Sequence, residues 1–156
     1  MMPRPRIIDY VLLGLAVLCF ICPTLYLILK YPSLPEQIPT HFGPGGEVDA
    51  WGARGAAAAM PVFGFIMLVI TVPICFAPGM WNTTWGVPAA KLPQAVRTTR
   101  TMLCALAFLV QALFGYMTVC VARCSAMKSA LLWTITALVF ITLAVGVVSL
   151  LRLKKK

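Results

Sequence analysis

His41, Glu47 and Asp49 lie within nine residues of one another, and their side chains are of the types that ligate zinc or move protons. With Glu36 they place three of the chain's four acidic residues, and its single histidine, between residues 31 and 56. That stretch also holds five of the eleven glycines and four of the twelve prolines. Its candidate binding residues are Pro39, Thr40, His41, Phe42, Gly46, Glu47, Asp49, Trp51, Gly52 and Arg54. The residue before each proline is pushed to extended backbone, Gly43 to Gly46 is a turn cluster, and residues 47–51 alternate polar and apolar. A regular hairpin with a four-residue loop then pairs Phe42 with Glu47, His41 with Val48, and Thr40 with Asp49. His41 falls on the face of Val48 and Ala50, while Glu47 and Asp49 fall on the other. Only a bulge would gather the three, so the expectation is no metal, no cofactor and no catalytic residue. Phe42 and Trp51 share a face in this register and are expected to rest on the membrane surface and hold the loop as an ordered cap. Asp49 and Arg54, five apart, are candidates for an ion pair at its edge.

Other chemically capable residues are scattered. Cys19 and Cys22 have C-x-x-C spacing, but both sit inside an apolar run with no second pair to complete a site. Cys120 and Cys124, four apart near a helix end, are poorly placed to bridge. Gln111 is the intramembrane polar residue, expected to hydrogen-bond across to Thr71, Thr136 or Thr142. Asp9, three residues after Arg6, suggests a local interfacial pair. The chain holds no phosphate-binding glycine loop, Ser/His/Asp arrangement or H-E-x-x-H motif.

These residues must be positioned by apolar helices. The chain is 61% hydrophobic and only 11% charged, against roughly 25% charged in soluble domains. Four segments are long enough to cross a bilayer, at residues 7–29, 57–78, 102–121 and 129–151. With no water to satisfy their backbones, they are helices. The predicted fold is an all-α integral membrane protein: one membrane domain over residues 1–156, a four-helix transmembrane bundle with a short extracytoplasmic hairpin loop, residues 31–56, between helices 1 and 2. The first segment has Arg4 and Arg6 before it but is too long for a signal peptide, and reads as an uncleaved helix. The formal charge of +9 sits at the ends of apolar runs, which speaks for headgroups and against nucleic acid. With the N-terminus inside, nine cations (Arg4, Arg6, Lys91, Arg97, Arg100, Arg152 and Lys154 to Lys156) face four outside (Lys30, Arg54, Arg123 and Lys128). A multi-pass protein of the cell membrane with both termini cytoplasmic follows. Pro23 and Pro73 should kink their helices, and Thr142 with Gly146 offers a small-residue face for close helix packing. Residues 81–101, with Trp81, Trp85 and three basic residues, read as an interfacial connector.

Leu34-Pro35, Ile38-Pro39-Thr40-His41-Phe42, Gly46-Glu47, Asp49 and Trp51-Gly52 resemble the signature of the bacterial membrane family called domain of unknown function 1648, with Arg54 where that signature has lysine. The resemblance covers the first two spans and their loop. The family also forms the N-terminal part of SdpI-like proteins, so the resemblance implies a role of the immunity or signalling kind; the SdpI-like pattern is not recognised after Met102.

The expectation for function is a non-enzymatic membrane protein that uses the outer loop to contact a peptide or another membrane protein. One alternative is a small transporter or an accessory subunit of a membrane complex, for which a homo-oligomer would supply symmetry. A metal-dependent membrane enzyme built on His41, Glu47 and Asp49 is the remaining one.

Overall fold

A computed structural model describes residues 3–82 and 86–154. Trp85, Lys155 and Lys156, which the sequence reading placed in the connector and the basic tail, lie outside the described residues. Four helices form the body: α1, Ile7–Lys30; α2, Ala59–Phe76; α3, Leu92–Ala122; and α4, Ser129–Lys154. Between α1 and α2 stands a single antiparallel hairpin, β1 (Gln37–Phe42) and β2 (Val48–Ala53). All four helices are long and apolar enough to cross a membrane. Their outward faces carry Phe63, Phe65, Phe140 and Val145, each more than half exposed, which suits lipid and not water. This is a multi-pass membrane architecture.

α3 is the hub. It contributes thirteen buried residues, against four from α1 and three each from α2 and α4, because it packs on all three other helices. It is also longer than the sequence suggested, starting at Leu92 and not at 102. Pro93 in its first turn explains this, since a fixed φ and a missing N–H suit a helix start. At about 1.5 Å per residue, its 31 residues span about 46 Å, well beyond a hydrocarbon core of about 30 Å. The extra turns carry Arg97 and Arg100, so part of the expected connector is helix.

α1 and α3 approach each other closely at Gly115. A Cβ on Gly115 would stand 2.4 Å from the Cys19 carbonyl oxygen and 3.0 Å from Pro23 Cγ. Pro23 has no N–H to bond the carbonyl four residues back, so the Cys19 oxygen is left facing this glycine. Gln111 sits one turn away and is 1% exposed; its Nε2 donates to the Gly64 carbonyl of α2 at 2.8 Å. The expected threonine partners are not used. Thr71 and Thr136 donate to their own helices, at Met67 and Leu132. The Oε1 of Gln111 is buried with no hydrogen-bond partner, and lies against Gly64, whose added Cβ would be 3.3 Å from it. On α4, Gly146 admits the Met102 side chain of α3 and not a helix backbone.

The bundle's end opposite the hairpin is tied by polar groups. Asp9 is 1% exposed. It accepts the Arg6 N–H at 2.8 Å, satisfying a free donor at the start of α1, and the Thr101 hydroxyl of α3. The expected Arg6–Asp9 contact is thus made through the backbone, while the Arg6 guanidinium donates to Thr101. Arg100 is buried, donating to the Pro3 carbonyl at 3.0 Å and the Cys75 carbonyl at 3.3 Å, with Trp81 against its guanidinium.

Candidate functional site: the hairpin cap

The hairpin is placed by its first strand. Ile38 is fully buried in a cluster with Leu27 of α1, Leu34, Ala57, and Val121 and Ala122 of α3; Tyr26, Phe42 and Cys124 pack around it. A second lock lies at the turn. Gly43 N–H donates to the Glu47 carbonyl at 2.8 Å and Gly46 N–H to the Gly43 carbonyl at 2.9 Å, closing the reversal. Gly46 has φ +88°, a conformation that side-chain-bearing residues rarely adopt. Its carbonyl accepts the Met127 N–H at 2.7 Å, and a Cβ there would stand 2.3 Å from the Met127 oxygen. The hairpin turn is therefore docked on the α3–α4 connection by backbone contact that only glycine permits.

The register differs from the regular one. Gln37 pairs with Ala53, Ile38 with Gly52, Pro39 with Trp51, His41 with Ala50 and Phe42 with Val48. Thr40 and Asp49 are left out of the pairing, each where the register shifts. A bulge adds a residue to one strand and re-aims its side chain. The expectation that His41 and Asp49 face apart is overturned: Asp49 Oδ1 lies 2.6 Å from His41 Nδ1. Glu47 is not drawn in; its carboxylate covers Gly43 and Gly45 at the turn. Among the described residues, no three His, Cys, Asp or Glu side chains converge to hold a metal ion. Thr40, released from pairing, lays its methyl over Gly52, where a Cβ would be 2.8 Å away.

Two further contacts depart from the expected ones. Trp51 is 53% exposed and lies outside the buried cluster, while Ile38 carries the burial that was expected of Trp51; Phe42 is half-buried against that cluster. The register explains this: the expected pairing, continued, sets Trp51 across from Ile38, whereas the observed one sets Gly52 there and moves Trp51 to the opposite face, across from Pro39. Arg54 does not pair with Asp49. Its N–H donates to the Glu36 carbonyl at 2.9 Å and its guanidinium carbon stands 5.3 Å from the Tyr31 ring centroid.

The exposed side of the hairpin is therefore a fixed platform presenting a His–Asp donor–acceptor pair and a large exposed indole. The side chains of His41 and Asp49 are 69% and 45% exposed, so the pair contributes at most about 1 kcal/mol to stability. Beside the platform, Cys124 has φ +48°, the left-handed conformation that ends α3, and burial pushes its thiol above the ordinary cysteine range. Ile38, part of the motif read from the sequence, and Met127, which sequence reasoning missed, set the platform. Ile38 was legible as an apolar residue next to a proline; Met127 offered no signal, because its role is carried by its backbone.

The family match falls on this same region. An uncharacterized protein of Archaeoglobus fulgidus is 49% identical over 51 residues, a match covering 30% of this chain and 28% of that relative, so less than a third of its length is spanned. No solved structure matches. The matched family segment begins inside α1 and ends inside α2, narrower than the first two spans, and it contains Cys19, Pro23, the whole hairpin and Gly64. Residues 18–65 of this chain are a match to the family described as domain of unknown function (DUF1648).

Proposed function

We propose that this is a non-enzymatic protein of a bacterial cell membrane whose hairpin recognises a peptide or another membrane protein outside the cell, in an immunity or signalling role of the SdpI-like kind. The observation that carries the reading is the division of the hairpin into two faces. One is fixed to the bundle through Ile38 and the Gly46–Met127 contact. The other offers His41, Asp49 and Trp51 to an incoming partner. Rigid presentation lowers the ordering cost of binding, and aromatic residues dominate the energetics of recognition surfaces. An extracytoplasmic hairpin and cytoplasmic termini rest on the nine-to-four bias of Lys and Arg. A transporter reading has less support, because Gln111 is engaged with Gly64 in the packed interior.

Two measurements test this. In intact cells, with the six native cysteines replaced by alanine, a membrane-impermeant maleimide should label Gly45→Cys and not Lys155→Cys; the reverse pattern removes the outer placement. A photoreactive phenylalanine analogue in place of Trp51 should give one discrete protein or peptide adduct in native membranes, lost in Asp49→Ala. The same analogue at Met67, in the middle of α2, should give lipid adducts only. Lipid adducts alone at position 51 would end the recognition reading.

A further inference from the structure

On the hairpin side of the bundle a groove of about 390 Å³ runs between α1 and α2, lined by Thr24, Ile28, Tyr31, Ala58, Pro61 and Val62. Its size falls within the roughly 300 to 1,000 Å³ usual for ligand sites. Ile28 and Val62 are 60% and 53% exposed, so the groove opens outward from the bundle, towards the surrounding lipid. Its polar content is small and already engaged: the Thr24 hydroxyl donates to the Phe20 carbonyl at 2.7 Å, and Tyr31 turns its ring to Arg54. The two apolar spans that form it run to Ser33 and from Arg54, which puts Tyr31 and Arg54 at headgroup level. Thr24, seven residues down α1 from Tyr31, lies about 10 Å deeper.

Arg54 stands at the mouth of this groove. It is exposed, and among the described residues no carboxylate lies within ion-pair distance of it, since Asp49 is taken by His41. The guanidinium carbon lies at a cation–π distance of 5.3 Å from the Tyr31 ring centroid, and the N–H groups of a guanidinium lie along its edge, where a second partner can meet them. That edge matches two oxygens of a phosphate. An apolar trough ending at headgroup level under an unpaired arginine is complementary to one kind of molecule.

We infer that the α1–α2 groove seats a phosphate-bearing membrane lipid, its apolar chain along Ile28, Pro61 and Val62 and its phosphate on the Arg54 guanidinium. The site is separate from the His41–Asp49 platform and does not depend on what that platform binds. The lipid would stand beside the first turns of α2 and so complete the surface on which the hairpin rests.

The test uses the full chain in nanodiscs of digalactosyldiacylglycerol, which carries no phosphate, doped with a phosphatidylglycerol that carries a diazirine midway along one chain. After illumination, adducts should concentrate on residues 24–32 and 58–62. Arg54→Gln should lower that labelling fivefold or more at an unchanged melting temperature, and Arg54→Lys should restore part of it. Val62→Trp, which fills the trough but keeps the cation, should also lose the adducts. Unlabelled phosphatidylglycerol should compete and millimolar inorganic phosphate should not. Labelling spread evenly over the outward faces of α2 and α4, or unchanged in Arg54→Gln, would overturn the assignment. Competition by inorganic phosphate would also overturn it, by showing a free-anion site in place of a lipid site.

Discussion

If the hairpin is held to the bundle through Ile38, shortening that one side chain should loosen the whole cap. Ile38 is fully buried among Leu27, Leu34, Ala57, Val121 and Ala122, contributed by α1, α3 and the connecting segments. Ile38→Ala removes burial and leaves a cavity walled by helix ends that cannot collapse into it. Substitutions of this kind cost about 2 to 5 kcal/mol. Because a tenfold change corresponds to about 1.4 kcal/mol, even the lower value raises the open population about 25-fold. Trp51→Ala opens no comparable cavity, since Trp51 is 53% exposed and lies outside the cluster. Its effect should stay under about 1 kcal/mol, or about fivefold.

Amide hydrogen exchange in nanodiscs reads this directly at Gly43 and Arg54, whose N–H groups are bonded to Glu47 and Glu36. Ile38→Ala should speed both amides by about 25-fold or more, and Trp51→Ala by about fivefold at most. Equal acceleration by the two substitutions would refute the reasoning, because it would place the anchoring on the indole. No acceleration by Ile38→Ala would refute it too, because the turn contact at Met127 would then hold the cap alone.

Gly46→Ala should detach the turn from the α3–α4 connection, since it combines a φ of +88° with a Cβ 2.3 Å from the Met127 oxygen; faster exchange of the Met127 amide checks it. Gly115→Ala should destabilise the bundle by about 1 to 3 kcal/mol in thermal unfolding in detergent, because its neighbours are a carbonyl and a proline ring. Gly14→Ala, with nothing within 4 Å of the new Cβ, should stay within about 0.5 kcal/mol of wild type in the same assay. Cys124 should react with a membrane-impermeant maleimide more slowly than free cysteine at pH 7. Burial raises its pKa, so its thiolate fraction lags below that of free cysteine as pH rises; rates matched from pH 7 to 9 would contradict this.

The four helices were legible because lipid imposes a length and an apolarity that few other environments demand, and the hairpin was legible from Gly43 to Gly46 flanked by extended runs. The pairing inside the hairpin was not. Alternation assigns faces only once the turn length is known: five residues and not four separate Phe42 from Val48, and this one-residue slip brings Asp49 to the side of His41 without altering any residue type. The burial of Ile38 over Trp51 follows from that same shift. The start of α3 was misplaced because Arg97 and Arg100 lower its apolarity, although Pro93 was compatible with a helix start. The partner of Gln111 was a backbone carbonyl, and a side-chain search among threonines does not reach it.

The segment that matches the family, residues 18–65, cannot set its own geometry. Cys19 and Pro23 need the absent side chain of Gly115, Gly64 receives Gln111, Ile38 is enclosed by Val121 and Ala122, and Gly46 is held at Met127. Each of these partners lies on α3 or just beyond it, outside the matched residues. Cut away from α3, the hairpin would expose Ile38 and lose its turn contact, and an isolated two-stranded hairpin is marginal at best in water. The exposed face formed by His41, Asp49 and Trp51 is therefore a joint product of two segments distant in the chain. In this chain the matched residues take this form because α3 offers a small residue against Cys19, a donor to Gly64 and, beyond its end, a backbone N–H for Gly46.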